Sequence, residues 1–397
     1  MGEFSCYCAI CSCSLNCYEL GSSNPDALKR RRARVARRVF WRSKGLKYYY
    51  DTDDEDKDPD VREERLRCMQ AADGSLGQAS GVGDSDEDGE AGGCFDEESM
   101  EESYSYDPGL LCEEDSAWLR QTGGLGIYLD HPQGPRYFIT SVDYDDCDLA
   151  TIRNIDSDPD LPEDGRECYC YYVYDSNEPV CFPFHWSCFQ LLSRAINPGP
   201  VVKELDKRVL YNVMFKIKQY SSLELPCGDI HGRDQDWVCI PGEEYTVMDP
   251  LASSAFQPSA LIKHCPLEDN PPQLTNKIVT DPFSTLPTEL MFMILSHLSG
   301  PSLFALRQAS IAVRAQTQSQ SFWQRRIHED MPWLWELSSQ ITRSFDFRKA
   351  YLYLDEKTRP RYGMNDRNWL ALANRRRIWR ACEVLAEMYK TQLEDVT

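Results

Sequence analysis

Apolar side chains at four-residue spacing are densest between positions 286 and 298. Leu286, Leu290, Ile294 and Leu298 recur there with Met293 and Leu295 beside them, while Ser296 and His297 fall elsewhere. That period lays a strong apolar stripe along an α-helix. Pro287 fits the first turn, where a missing N–H is no loss, and Glu289 sits near the positive end of the helix dipole. Gly300-Pro301-Ser302 ends this helix and starts a second, in which Leu303, Leu306, Ser310 and Val313 share a stripe. Trp323 and Ile327 supply a third apolar element. Short helices bury little by themselves, so the unit needs a partner surface or the rest of the chain.

Upstream, the β-rich runs 137–142 and 168–174, bounded by Pro, Gly and Asp, predict a small sheet. An extended stretch over 179–184 leads into an amphipathic helix over 186–196, stopped by Asn197-Pro198-Gly199-Pro200. A helix is expected within 201–214 and extended chain over 237–250. Gly123-Gly124-Leu125-Gly126 lacks the strand–loop–helix surroundings of a phosphate loop and reads as a turn. Helical runs at 345–354 and 369–393 are expected to pack behind the 286–327 unit.

Between the Cys-rich start and the first β-run, 51–60 is acidic, and 68–119 carries many acids but no Lys or Arg. Such a segment cannot offset chain entropy by burial, so disorder is expected. Ser85, set among acids, is a candidate phosphorylation site. The resulting expectation is an α+β protein: a Cys-rich knuckle and basic helix over 1–50, a disordered acidic insertion over 51–117, the remainder of a metal-nucleated sheet-and-helix module over 118–264, a Pro-rich linker over 265–280, a helical unit over 281–327 and a C-terminal helical region over 328–397.

Composition narrows the function. With 397 residues, 42% hydrophobic, the chain can build a core for more than one domain. A net charge of -21 argues against nucleic acid as a partner, because a phosphate backbone repels such a surface. No apolar run reaches the length of a membrane span. The polar start lacks a signal-peptide core, and Cys6 stands where a myristoylation signal wants Ser or Thr. Seventeen Cys in such a chain point to a reducing compartment, cytoplasmic or nuclear, and to thiols used as core residues or metal ligands. The ten basic residues of 29–47 suggest an amphipathic helix, serving either as a nuclear-import signal, as a binder of the chain's own acidic stretches, or as a charged face packed on the metal module.

The run CYCAICSCSLNC over 6–17 contains Cys8-Ala9-Ile10-Cys11, the spacing of a zinc knuckle. Two further ligands are needed. His185 and Cys188 stand three apart at the start of the 186–196 helix and face one way, so CxxC plus HxxC makes a Cys3His site of treble-clef type for structural zinc. Cys6, Cys13, Cys17, Cys168, Cys170 and Cys181 are alternative ligands that spacing does not separate. A binuclear-zinc DNA-binding domain would need a six-Cys spacing that is absent, and a RING needs more ligands in cross-braced order. No HExxH, P-loop or GxSxG marks an enzyme.

Leu286-Pro287-Thr288-Glu289-Leu290, Ile294-Leu295, Leu298, Leu303, Leu306-Arg307, Ser310 and Ser321-Phe322-Trp323 together resemble an F-box, and the run from 306 to 337 resembles the version common in large fungal F-box families. Ala309 stands where many F-boxes carry Val. The resemblance implies docking onto a Skp-type adaptor, and through it a cullin ubiquitin ligase, by a surface of Leu286, Pro287, Leu290, Ile294, Leu295, Leu298, Leu303 and Leu306. Cys8/Cys11 and His185/Cys188 also resemble the amino-terminal zinc module of that family, in which a CAIC-like start is completed by an FPFHxxC stretch. The implied role is an adaptor presenting an unknown protein to the ligase. The alternatives are a zinc-stabilised interaction protein with a degenerate F-box and, further off, a Cys-dependent enzyme. No leucine-rich, WD or kelch period follows the F-box to read a substrate.

Overall fold

The computed structural model describes residues 7–15, 19–43, 105–144, 149–171, 179–199, 204–218, 223–228, 239–252, 256, 258–267, 281–339 and 345–396. Cys6, Cys17, Ser85, residues 44–104 of the basic and acidic stretches, the 172–174 end of a predicted strand and most of the linker lie outside them. The chain forms two compact units, one from Met1–Ala252 with Pro360–Thr397, the other from Ser253–Arg359. Among the described residues no helix is long and apolar enough to cross a membrane.

The first unit is α+β. Its five-stranded antiparallel sheet runs in the order β4-β3-β2-β1-β5, with β1 Thr122–Tyr128, β2 Arg136–Tyr144, β3 Leu149–Arg153, β4 Glu167–Tyr169 and β5 Phe182–His185. One face packs Phe138, Val142, Ala150, Ile152, Cys170 and Cys181 together. The glycine cluster is strand β1 rather than a turn. A Cβ at Gly124 would lie 2.5 Å from Cys181 Sγ, and one at Gly126 would lie 2.5 Å from the Phe138 ring. Glycine is thus selected by large neighbours crossing the strand, a cause that local sequence does not display.

Helix α1, Pro25–Ser43, is built into this unit. Arg31 is buried and donates to Ser105 Oγ, Arg32 pairs with Asp107 at 2.7 Å, and Arg42 lies over the Tyr362 ring. Residues 105–116, expected to be disordered, belong to the fold because Tyr106 and Leu111 are buried anchors and Asp107 answers Arg32. Helices α2, Trp186–Ile196, and α3, Lys207–Lys216, follow the sheet. Instead of extended chain throughout 237–250, the described part contains a buried 3-10 turn, Glu244–Val247.

The second unit is helical: α4 Pro258–His264, α5 Thr288–Ser296, α6 Gly300–Ala309, α7 Ile311–Gln316, α8 Gln320–Asp330 and α9 Phe347–Lys357. Ser310 does not continue a stripe. It breaks the second predicted helix and caps α7 by accepting from Val313 N, and Asp281 accepts from Ser310 Oγ and Ala312 N at 2.8 and 2.9 Å. Trp323 is the fully buried centre, stacked on Phe304 at 5.0 Å, with its indole N–H donated to Thr317 O.

The long helix α10, Arg367–Val396, belongs to the first unit, packed on α2, α3 and the Glu244–Val247 turn. This corrects the expectation that it backs the F-box. Asn374 donates to Thr246 O and Met248 O, and Arg375 donates to Pro250 O, so its buried polar side chains are satisfied by first-unit backbone.

Candidate metal centre and adaptor-docking face

The Cys8–Cys11 turn is closed by Cys8 N–H donating to Cys13 O and Ser12 N–H donating to Cys8 O, with a bridge between Tyr7 and Ser14. Cys11 N–H points at Cys8 Sγ at 3.5 Å, across the turn. Ser12 takes φ 59°, the left-handed conformation usually left to glycine; the turn that aims both sulfurs inward holds it there. Ala9 N–H donates to Pro183 O, tying the knuckle to β5.

From the other side β5 ends at His185, which is the N-cap of α2, and Cys188 follows in its first turn. The ligand atoms of Cys8, Cys11, His185 and Cys188 all lie within 4.8 Å of one another, and all four residues are fully buried. His185 Nδ1 is 3.5 Å from Cys11 Sγ and 3.8 Å from Cys188 Sγ. Its Nε2 is 3.1 Å from Ser14 O, a carbonyl that can only accept, so the proton belongs on Nε2 and the Nδ1 lone pair faces the sulfurs. Trp118 packs on the imidazole at 4.6 Å and is anchored through its own N–H to Val247 O.

The electrostatics match this donor set. Burial alone would lower the His185 pKa, but the Cys8 and Cys11 sulfurs pull it up to about 10. Burial likewise acts to raise the Cys11 pKa, yet hydrogen bonds from Cys13, Cys188 and Cys8 hold it well below the usual thiol range. Burial pushes Cys188 up. Sulfurs that draw a proton onto a buried imidazole also draw a divalent cation, and with Cys188 beside them this group can hold a metal.

Of the alternative ligands, Cys13 stands one layer out, hydrogen-bonded by Arg377 Nη2 at 3.2 Å, while Cys170 and Cys181 belong to the sheet core with Cys168 packed against it. Arg377 itself escaped sequence reading. It sits in the basic run Arg375-Arg376-Arg377, an ordinary solvated face by composition, and the one available signal is the apolar residues flanking that run.

In the second unit the predicted docking residues divide. Leu295 and Leu303 are fully buried with Met291, as part of the unit's own core. Leu290, Met293 and Ile294 are 47%, 60% and 38% exposed, Pro287 is exposed, and Leu286, Leu298 and Leu306 are half-buried. Helix α5 is therefore apolar on two sides, one spent on the core and the other facing out. Met293, outside the predicted set, is the most exposed of the group. Arg326 closes the helix, donating to the Leu295, Ser296 and Leu298 carbonyls and pairing with Asp330 at 2.7 Å.

In comparisons with known proteins, the F-box domain family matches residues 283–325, which begin beside the Asp281 cap and run through α5, α6 and α7 into α8. The chain therefore contains an F-box domain, and no enzyme family is found in it. No curated protein and no solved structure matches it.

Proposed function

We propose that this chain is an F-box adaptor that docks on a Skp-type subunit and brings a protein to a cullin ubiquitin ligase, working inside the cell and performing no bond chemistry itself. The observation that carries this reading is the outward side of α5, where Leu290, Met293 and Ile294 stand exposed inside a matched F-box domain. Contiguous apolar surface on a soluble unit marks a partner. Full burial of such side chains stabilises by about 1.5–3 kcal/mol each, less for the part already covered, which suffices to anchor an interface once association entropy is subtracted. Leu286, Pro287, Leu298 and Leu306 border that side, and Leu295 and Leu303 hold it in shape from within.

The same proposal assigns structural zinc to Cys8, Cys11, His185 and Cys188. Four protein ligands complete a tetrahedron and leave no position for a catalytic water, so the ion would cross-link the knuckle to α2 and do nothing more. The resemblance to the fungal F-box families with a CxxC and HxxC module supports pairing the two features in one chain.

Co-expression with a Skp-type adaptor tests the first part. The wild type should co-purify, and Leu290→Asp/Met293→Asp should lose at least tenfold in recovery with an unchanged near-UV circular dichroism spectrum. A folded wild type that does not bind would refute the docking reading. For the metal, one zinc per chain is expected, with Cys8→Ser and His185→Ala each releasing it; full retention in both would remove these residues from the ligand set.

A further inference from the structure

Arg377 is 1% exposed and lies beside the knuckle. Its Nη1 donates to Cys11 O at 2.7 Å and Cys227 O at 3.2 Å, its Nη2 to Cys13 Sγ at 3.2 Å and Asn374 Oδ1 at 2.8 Å, and its Nε to Asn374 Oδ1 at 3.2 Å. These acceptors are two carbonyls, a thiol and an amide, and no carboxylate among the described residues pairs with this guanidinium. Arginine does not shed its proton in a protein interior, and neutral acceptors do not repay the desolvation of a full charge. A buried cation of this kind requires an anion.

The four-residue site provides one. A divalent ion held by three thiolates and a neutral imidazole has a net charge of about −1, itself costly to bury unless matched. We propose that Arg377 is the counter-charge of the metal centre, a positioning residue that neutralises the loaded Cys3His site and fixes the Cys11 backbone through its carbonyl. The proposal rests on the zinc reading above. It links the last helix of the chain to a site whose ligands end at Cys188, and it explains why a charged side chain stands where glutamine would satisfy the same carbonyls. Second-layer partners of this kind set metal affinity and the electronic character of the ligands.

The test uses full-length protein and two metals. In competition with a chromogenic zinc chelator, Arg377→Met should bind zinc roughly tenfold or more weakly than wild type, whereas Arg377→Lys, which keeps the charge, should stay within about threefold. With cobalt in place of zinc, the sulfur-to-metal charge-transfer band should move to longer wavelength in Arg377→Met, because withdrawing the nearby cation raises the sulfur lone pairs in energy. Unchanged competition and an unshifted band in a folded Arg377→Met overturn the proposal while leaving the zinc site intact. So does equal loss in the Lys and Met variants, including failure of both to fold. A wild type that takes up neither metal defeats the zinc reading itself, a distinguishable outcome.

Discussion

Single side chains in this protein are held by backbone more often than by one another, and two of them have measurable consequences. Arg326 is 6% exposed at its side chain and gathers three carbonyls at the end of α5, a job more often left to glycine or water. Arg326→Met would orphan those carbonyls and leave Asp330 with Tyr351 as its partner, and we expect a loss of roughly 2–3 kcal/mol, read as a lower urea midpoint for the F-box unit. Glu244 is a different case: burial pushes its carboxyl up to about 7 although Gly242 N–H and Asp107 N–H donate to it. The folded chain then keeps a proton that the unfolded chain releases near the usual carboxylate value, so stability falls as pH rises from about 4.5 to about 7 and stays lower above that. The contribution is on the order of 3 kcal/mol. Denaturation at pH 5 and pH 8 should show wild type weaker at pH 8 and Glu244→Gln with a flatter profile.

Elements differ in how plainly their sequences announced them. Helix α2 was read to its bounds, since an extended entry, an amphipathic run and a Pro-Gly stop frame it. Helix α5 was equally legible, but which of its apolar residues face outward was not. Period alone marks Leu290, Ile294 and Leu295 alike, whereas tertiary packing buries Met291 and Leu295, with Arg326 of α8 donating to the Leu295 carbonyl. Leu295→Ala should therefore destabilise the F-box unit by about 2–5 kcal/mol, while Met293→Ala leaves its melting unchanged and weakens adaptor binding alone. Strand β1 was misread because its glycines answer Phe138 of β2 and Cys181 just before β5, neighbours in space that local sequence does not display. The buried group that could hold a metal was readable from CxxC and HxxC spacing; what surrounds it, Trp118, Ser14 and Arg377, carries no motif.

At the scale of the whole molecule, the chain leaves the first unit after Ala252, builds the second from Ser253–Arg359, and returns at Pro360 to finish the first with α10. A pairing across more than a hundred intervening residues leaves no local pattern, which is why the last helix was assigned to the wrong neighbour. Stopping the chain after Arg359 should remove Asn374, Arg375 and Arg377 from the first unit, and we expect such a protein to lose cooperative unfolding of that unit and, on the zinc proposal, metal uptake, as checked by calorimetry and metal content. The order of assembly during translation follows as well. Cys11 and Arg377 are 366 positions apart, roughly 20–70 seconds of ribosome travel, so the knuckle thiols wait that long for the guanidinium that packs beside them. A message broken between Arg359 and Arg367 would yield a polypeptide with the whole F-box segment but without Asn374, Arg375 and Arg377, so its cysteine cluster would lack the wall that α10 supplies.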